Sequence, residues 1–159
     1  MASEPAHRPL TEQEAADAHI VVARLRQPPG AAAKEAEQLR KQGEHAMKRR
    51  NWSAAVKLFG ESMVRYPAPE ALAGYADADI HMLAQIHARE PRAVHAIRED
   101  VRHAVRFYES SLAADSVLQS LSQKERSRIE SNAACLRAFI RTGDRSASCE
   151  PLQWYASGR

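Results

Sequence analysis

Between Ala36 and Pro67 two apolar stripes run at helical spacing on either side of a short polar turn, and few folds accommodate that pattern. Ala36, Leu39, Gly43 and Ala46 recur every three or four residues, as on a helix with one face turned to a core. The stripe stops at Lys48-Arg49-Arg50, cations placed favourably at the negative end of a helix dipole. Asn51-Trp52-Ser53 supplies a turn with capping residues, and Val56, Phe59 and Met63 then resume the spacing. Tyr66-Pro67-Ala68-Pro69 ends the second stripe, because a proline cannot donate to the backbone ladder. Two helices joined so tightly form an αα-hairpin.

The pattern recurs along the chain. Leu72, Ala76, Ile80 and Leu83 predict a helix from about Glu70 to Ala88; Val94, Ile97, Val101, Val105, Tyr108 and Leu112 predict another, ending near Ala114. Ser122-Gln123-Lys124-Glu125 is a capping box ahead of the stripe Ile129, Ala133, Leu136 and Ile140, which Thr142-Gly143-Asp144 closes. A last short helix is expected from near Ser148, with Pro151 in its tolerated first turn. Ahead of all this, residues 1–10 read as a loose tail. Thr11-Glu12-Gln13-Glu14 is a further capping box, opening a short helix with Ala18, Val22 and Leu25 on one face, stopped by Pro28-Pro29-Gly30. No stretch alternates with period two for long enough to make a strand. The fold class expected is all-α: a tail and N-terminal capping helix over 1–30, then a helical domain over 31–159 with pairs at about 31–67, 69–117 and 122–159.

The segment Ala36 to Pro67 closely resembles a tetratricopeptide repeat, a helix-turn-helix unit of 34 residues. The family's signature positions fall on Leu39, Gly43, Ala46, Ala55, Phe59, Ser62 and Pro67. Gly43 and Ala55 are small where the helices cross, and Phe59 is large where the core needs filling. Ala104, Tyr108 and Ser111 are similar to the second helix of another repeat, though this pair exceeds 34 residues. Ser131-Asn132-Ala133-Ala134-Cys135 with Arg141-Thr142-Gly143-Asp144 is similar to the start of a third, about two residues too long. The resemblance implies a right-handed stack of about three antiparallel helix pairs whose first helices line a concave groove for a partner's peptide segment or helix. Arg40, Glu44, Met47 and Lys48 point away from the core stripe by helical geometry and are expected on that groove, with Asn132, Arg137 and Arg141 of the third pair extending the surface. The chain is also similar in part to co-chaperones that grip an acidic C-terminal tail. Arg40 and Asn132 match that subgroup, but Glu44 stands where it has an asparagine and would repel a ligand carboxylate.

Composition narrows the other classes. The 159 residues include six glycines and eight prolines, too few for a turn-rich β-sandwich, and 23 Lys and Arg against 20 Asp and Glu give a net charge of only +3. That balance suits a soluble protein better than a nucleic-acid binder. Arg89, Arg92, Arg98, Arg102 and Arg106 cluster, but acidic neighbours at helical spacing make an exposed, ion-paired face the simpler account. His95, Glu99 and His103 share a helix face. The two histidines stand about 12 Å apart along the axis, too far for one ion to take all three, so no metal is expected. Cys135 reads as a small buried hydrophobe and Cys149 as an unreactive thiol, with a reduced, cytoplasmic or nuclear compartment the simplest setting. The start carries no secretory signal pattern, and no stretch is apolar for the roughly 20 residues a membrane span needs. No nucleophile elbow, phosphate loop or zinc-peptidase motif occurs. The expectation is an adaptor for a protein or peptide partner, with no catalysis and no cofactor; a structural subunit of a larger assembly is the alternative.

Overall fold

A computed structural model describes residues 8–87, 94–144 and 149–157. Among these the chain is helical with no strand: α1 (Glu12–Ala15), α2 (Ala18–Leu25), α3 (Gly30–Lys48), α4 (Trp52–Arg65), α5 (Pro69–His87), α6 (Val94–Leu118), α7 (Gln123–Thr142) and α8 (Glu150–Ser157). Each helix from α4 to α8 packs on the one before it. Arg89 and Arg92 and the side chain of His95 lie outside the described residues.

The ends of the helices follow local chemistry. Thr11 accepts from the Glu14 amide while Glu14 reaches back to the Thr11 amide, the full reciprocal box. Ser122 makes only half of one: its hydroxyl accepts from Glu125, but the Glu125 carboxylate turns to Arg128 instead. Gly143 takes a left-handed conformation and donates to the Phe139 carbonyl, closing α7. Arg50, at φ 56, makes the same left-handed turn between α3 and α4 without glycine's freedom, and Asn51 then caps α4. α6 runs one turn beyond its expected end, because Val117 and Leu118 still pack on the core; Gln119, also left-handed, stops it.

α5 is the central element. Ala71, Leu72, Ala73, Tyr75, Ala76, Ala78 and Ile80 are all buried, so its first three turns bury residues on several faces rather than one. α3, α4, α6 and α8 surround it. Phe59 reaches from α4 between α3 and α5. A Cβ at Gly43 would stand 3.0 Å from its ring, and one at Gly74 only 2.6 Å. Two glycines inside helices, each costing about 1 kcal/mol of helix propensity, are what let the ring in. Tyr108, Phe107, Phe139 and Met63 are likewise fully buried, each contributing roughly 1.5–3 kcal/mol by removal from water.

The two leading helix pairs repeat their internal contacts. On α4, Ala55, Phe59 and Ser62 are buried, and Ser62 donates to the Ala36 carbonyl at 2.7 Å. On α6, Ala104, Tyr108 and Ser111 are buried, and Ser111 donates to the Pro69 carbonyl at 2.7 Å. Each serine, in the second half of its helix, thus holds a carbonyl in the first half of the helix before it, so both pairs are antiparallel. Arg98 near the start of α6 donates to the Ile140 carbonyl near the end of α7, and Arg126 at the start of α7 pairs with Asp115 near the end of α6, so these two helices are antiparallel as well.

Two expectations are corrected. The N-terminal helix is two helices broken at Asp17, whose carboxylate caps the second, and its buried face is Val21, Arg24 and Leu25 with Val22 half-buried. α1 lies on α4 and α2 on α6, tied by the Leu10 amide to the Val64 carbonyl and by Tyr75 and His103 to Glu12. The cysteines are not free. Cys135 and Cys149 form a disulfide joining α7 to the residue preceding α8. The reduced-compartment argument rested on unpaired cysteines and loses its ground.

Candidate partner-binding groove

α3, α5 and the start of α7 enclose an open groove of about 440 Å³. Glu44, Met47 and Lys48 come from α3, Ala73, Gly74 and Asp77 from α5, Glu125 and Arg128 from α7, with Phe59 at the floor and Leu121 at the rim. A second hollow of about 440 Å³ continues it past the first half of α3, where Lys34, Glu37 and Arg40 face Tyr66, Ala68 and Leu118. Glu70 lines both. The floor is smooth because Ala73 and Gly74 carry almost no side chain above the Phe59 ring.

One buried ion pair holds the far wall. Arg128 donates to both oxygens of Asp77, at 2.9 and 3.3 Å, and the Tyr108 hydroxyl donates to one of them. Burial pushes the Asp77 carboxyl above its usual range and the Arg128 guanidinium opposes that push. Burial and the adjacent carboxylate together drive the Tyr108 phenol well upward, so it stays a donor. Asp115, itself buried, accepts from the Leu121 amide at 2.9 Å and from Arg126 at 2.7 Å, which fixes the α6–α7 turn and the rim residue it carries.

The seven residues expected to face a partner divide. Glu44, Met47 and Lys48 line the groove, and Arg40 lines its continuation, bound to Glu44 at 2.5 Å. Asn132 is 4% exposed and lies beside the disulfide, so it presents no side chain to a partner. Arg137 pairs with Glu109 of α6 at 3.0 Å, and Arg141 is exposed in the last turn of α7; neither lines the groove. Glu70, Gly74, Asp77, Leu121, Glu125 and Arg128 were not singled out. A glycine in mid-helix was a usable signal at Gly74. The Asp77–Arg128 pair left none, since its members stand 51 residues apart.

The histidines and arginines of α6 are otherwise engaged. His103 meets Glu12 at 3.2 Å, Glu99 pairs with Arg102, and Arg98 is spent on the end of α7. Among the described residues no group of three or more His, Cys, Asp or Glu is placed to hold a metal ion. His81 is held between two indoles, 4.0 Å from Trp52 and 3.7 Å from Trp154, and packs α8 onto α5. No helix among the described residues is long and apolar enough to cross a membrane. No family model, curated protein or solved structure matches the chain.

Proposed function

We propose that the chain is a tetratricopeptide-type adaptor that holds a segment of a partner protein in the groove between α3, α5 and α7. The observation that carries this is the recurrence of one set of buried contacts in adjacent pairs. Ala55, Phe59 and Ser62 in one and Ala104, Tyr108 and Ser111 in the next are buried alike, and each serine donates to a backbone carbonyl in the first half of its partner helix. Units that repeat in this manner stack with their first helices along one side, and the groove lies there.

The geometry favours a segment binder over the alternatives. Among the described residues Ile86 is the one large hydrophobic side chain that is exposed, so little apolar surface awaits the fixed contact of an assembly subunit. Arg40 is engaged by Glu44 and Glu37, which weakens a clamp for a terminal carboxylate. A peptide-display selection against the whole chain tests the reading. Enriched peptides should bind saturably, and Met47→Arg, which plants a charge in the groove, should weaken them at least about tenfold while circular dichroism shows the helical fold retained. Peptides that bind equally well to both proteins would refute it.

A further inference from the structure

The groove also carries a charge pattern that selects its ligand, an inference that rests on the reading just given. Most of its charged side chains are spent on one another. Glu37 meets Arg40 and Lys41, Arg40 meets Glu44, and Arg128 holds both Asp77 and Glu125. Among the described residues, Lys34, Glu70 and Lys48 are the lining charges left without an ion-pair partner. Lys34 stands in the outer hollow, Lys48 in the main groove, and Glu70 is shared by both, so it lies between them. Fourteen positions along α3 separate the two lysines, a distance of roughly 21 Å at 1.5 Å per residue.

We infer that the partner segment is an extended stretch of about seven residues carrying acid, base, apolar and acid at alternate positions. The repeat distance of an extended chain is about 3.3 Å per residue, so six steps cover roughly 20 Å, the span between the lysines. Side chains on one face of such a chain recur every second residue. Reading along α3, the first acid meets Lys34 and the base meets Glu70. The apolar residue enters over Phe59 between Met47 and Leu121, and the second acid meets Lys48. The small floor at Ala73 and Gly74 lets the backbone of such a segment come close. A helical ligand would need its acids about fourteen residues apart to reach both lysines.

The probe is an acetylated, amidated heptapeptide with glutamate first and seventh, lysine third, leucine fifth and serine between. Its counterpart exchanges the charges, with lysine first and seventh and glutamate third. Titration calorimetry on the full chain at low salt should find the first peptide about tenfold tighter, as three screened charge contacts allow. The triple variant Lys34→Glu, Glu70→Lys, Lys48→Glu should invert that order. Circular dichroism checks its fold, and Lys48→Glu alone, tested with lysine at only the seventh position, serves if the triple variant does not fold. Equal affinity for both peptides, or no inversion, overturns the charge pattern. Should display-selected peptides nonetheless depend on Met47, the groove itself stands and only this pattern fails; should nothing depend on Met47, both fall.

Discussion

Two buried ionisable groups on α5 pull stability in opposite directions over the same pH range. Burial raises the Asp79 carboxyl to about 6, with His103 opposing and Glu12 and Asp100 adding, and its Oδ2 has no hydrogen-bond partner among the described residues. A carboxyl held above its ordinary 3.8 favours the folded state when protonated. Its contribution is present below that value and is lost as pH rises through about 6. His81 is the reverse case. Burial between the indoles, with Arg50 adding, lowers it from 6.5 to about 4, so it favours folding when neutral. That contribution is present above 6.5 and is lost as pH falls through about 4. Asp79→Asn should therefore stabilise the protein at pH 7 by on the order of 1–3 kcal/mol and make stability rise more steeply with pH between 4 and 6. His81→Phe, which keeps a ring in the stack, should make it fall more steeply. Urea midpoints across that range read both slopes, and slopes unchanged in both variants would refute these assignments.

At the scale of elements, α8 is held by a ring stack and a covalent tether. It packs on α5 through the Trp154–His81 contact and is tethered to α7 by the disulfide just before its first residue. The bridge closes a loop across a sequence separation of 14, for which chain entropy gives about 3 kcal/mol. The double variant Cys135→Ala, Cys149→Ser, or a thiol reductant, should lower unfolding free energy by about 2–3 kcal/mol. Tryptophan emission should shift with it, since both tryptophans of the sequence flank His81. Unaltered midpoints and emission under reductant would contradict the tether. Here the sequence was a poor guide. Helix ends were legible because caps act over three or four residues: Thr11 and Gly143 did what their spacing implies, and Ser122 made half of its box. The cysteine pairing was not, because it joins a helix to a segment that only tertiary packing brings near.

The same division of legibility holds for the whole molecule. The first hairpin could be read directly, since both its stripes and its turn fall within Ala36 to Pro67 and its key contact, Phe59 on Gly43, lies inside it. The groove could be read in part. The residues on α3 came from helical phase alone, whereas the opposite wall depends on how α5 and α7 sit, and with that the placing of Arg128 on Asp77. The course of the N-terminal helices was illegible, because α1 is tied down by bonds such as those from Tyr75 and His103 to Glu12, 63 and 91 residues apart. Their position matters for function. None of their residues lines the groove, and so they leave it open. The most direct test of that groove as the binding surface is amide chemical-shift mapping of the labelled chain with a display-selected peptide. Shifts concentrated at Met47, Lys48, Ala73, Gly74 and Leu121 are the predicted result; shifts confined to α2, α6 or α8 would contradict it.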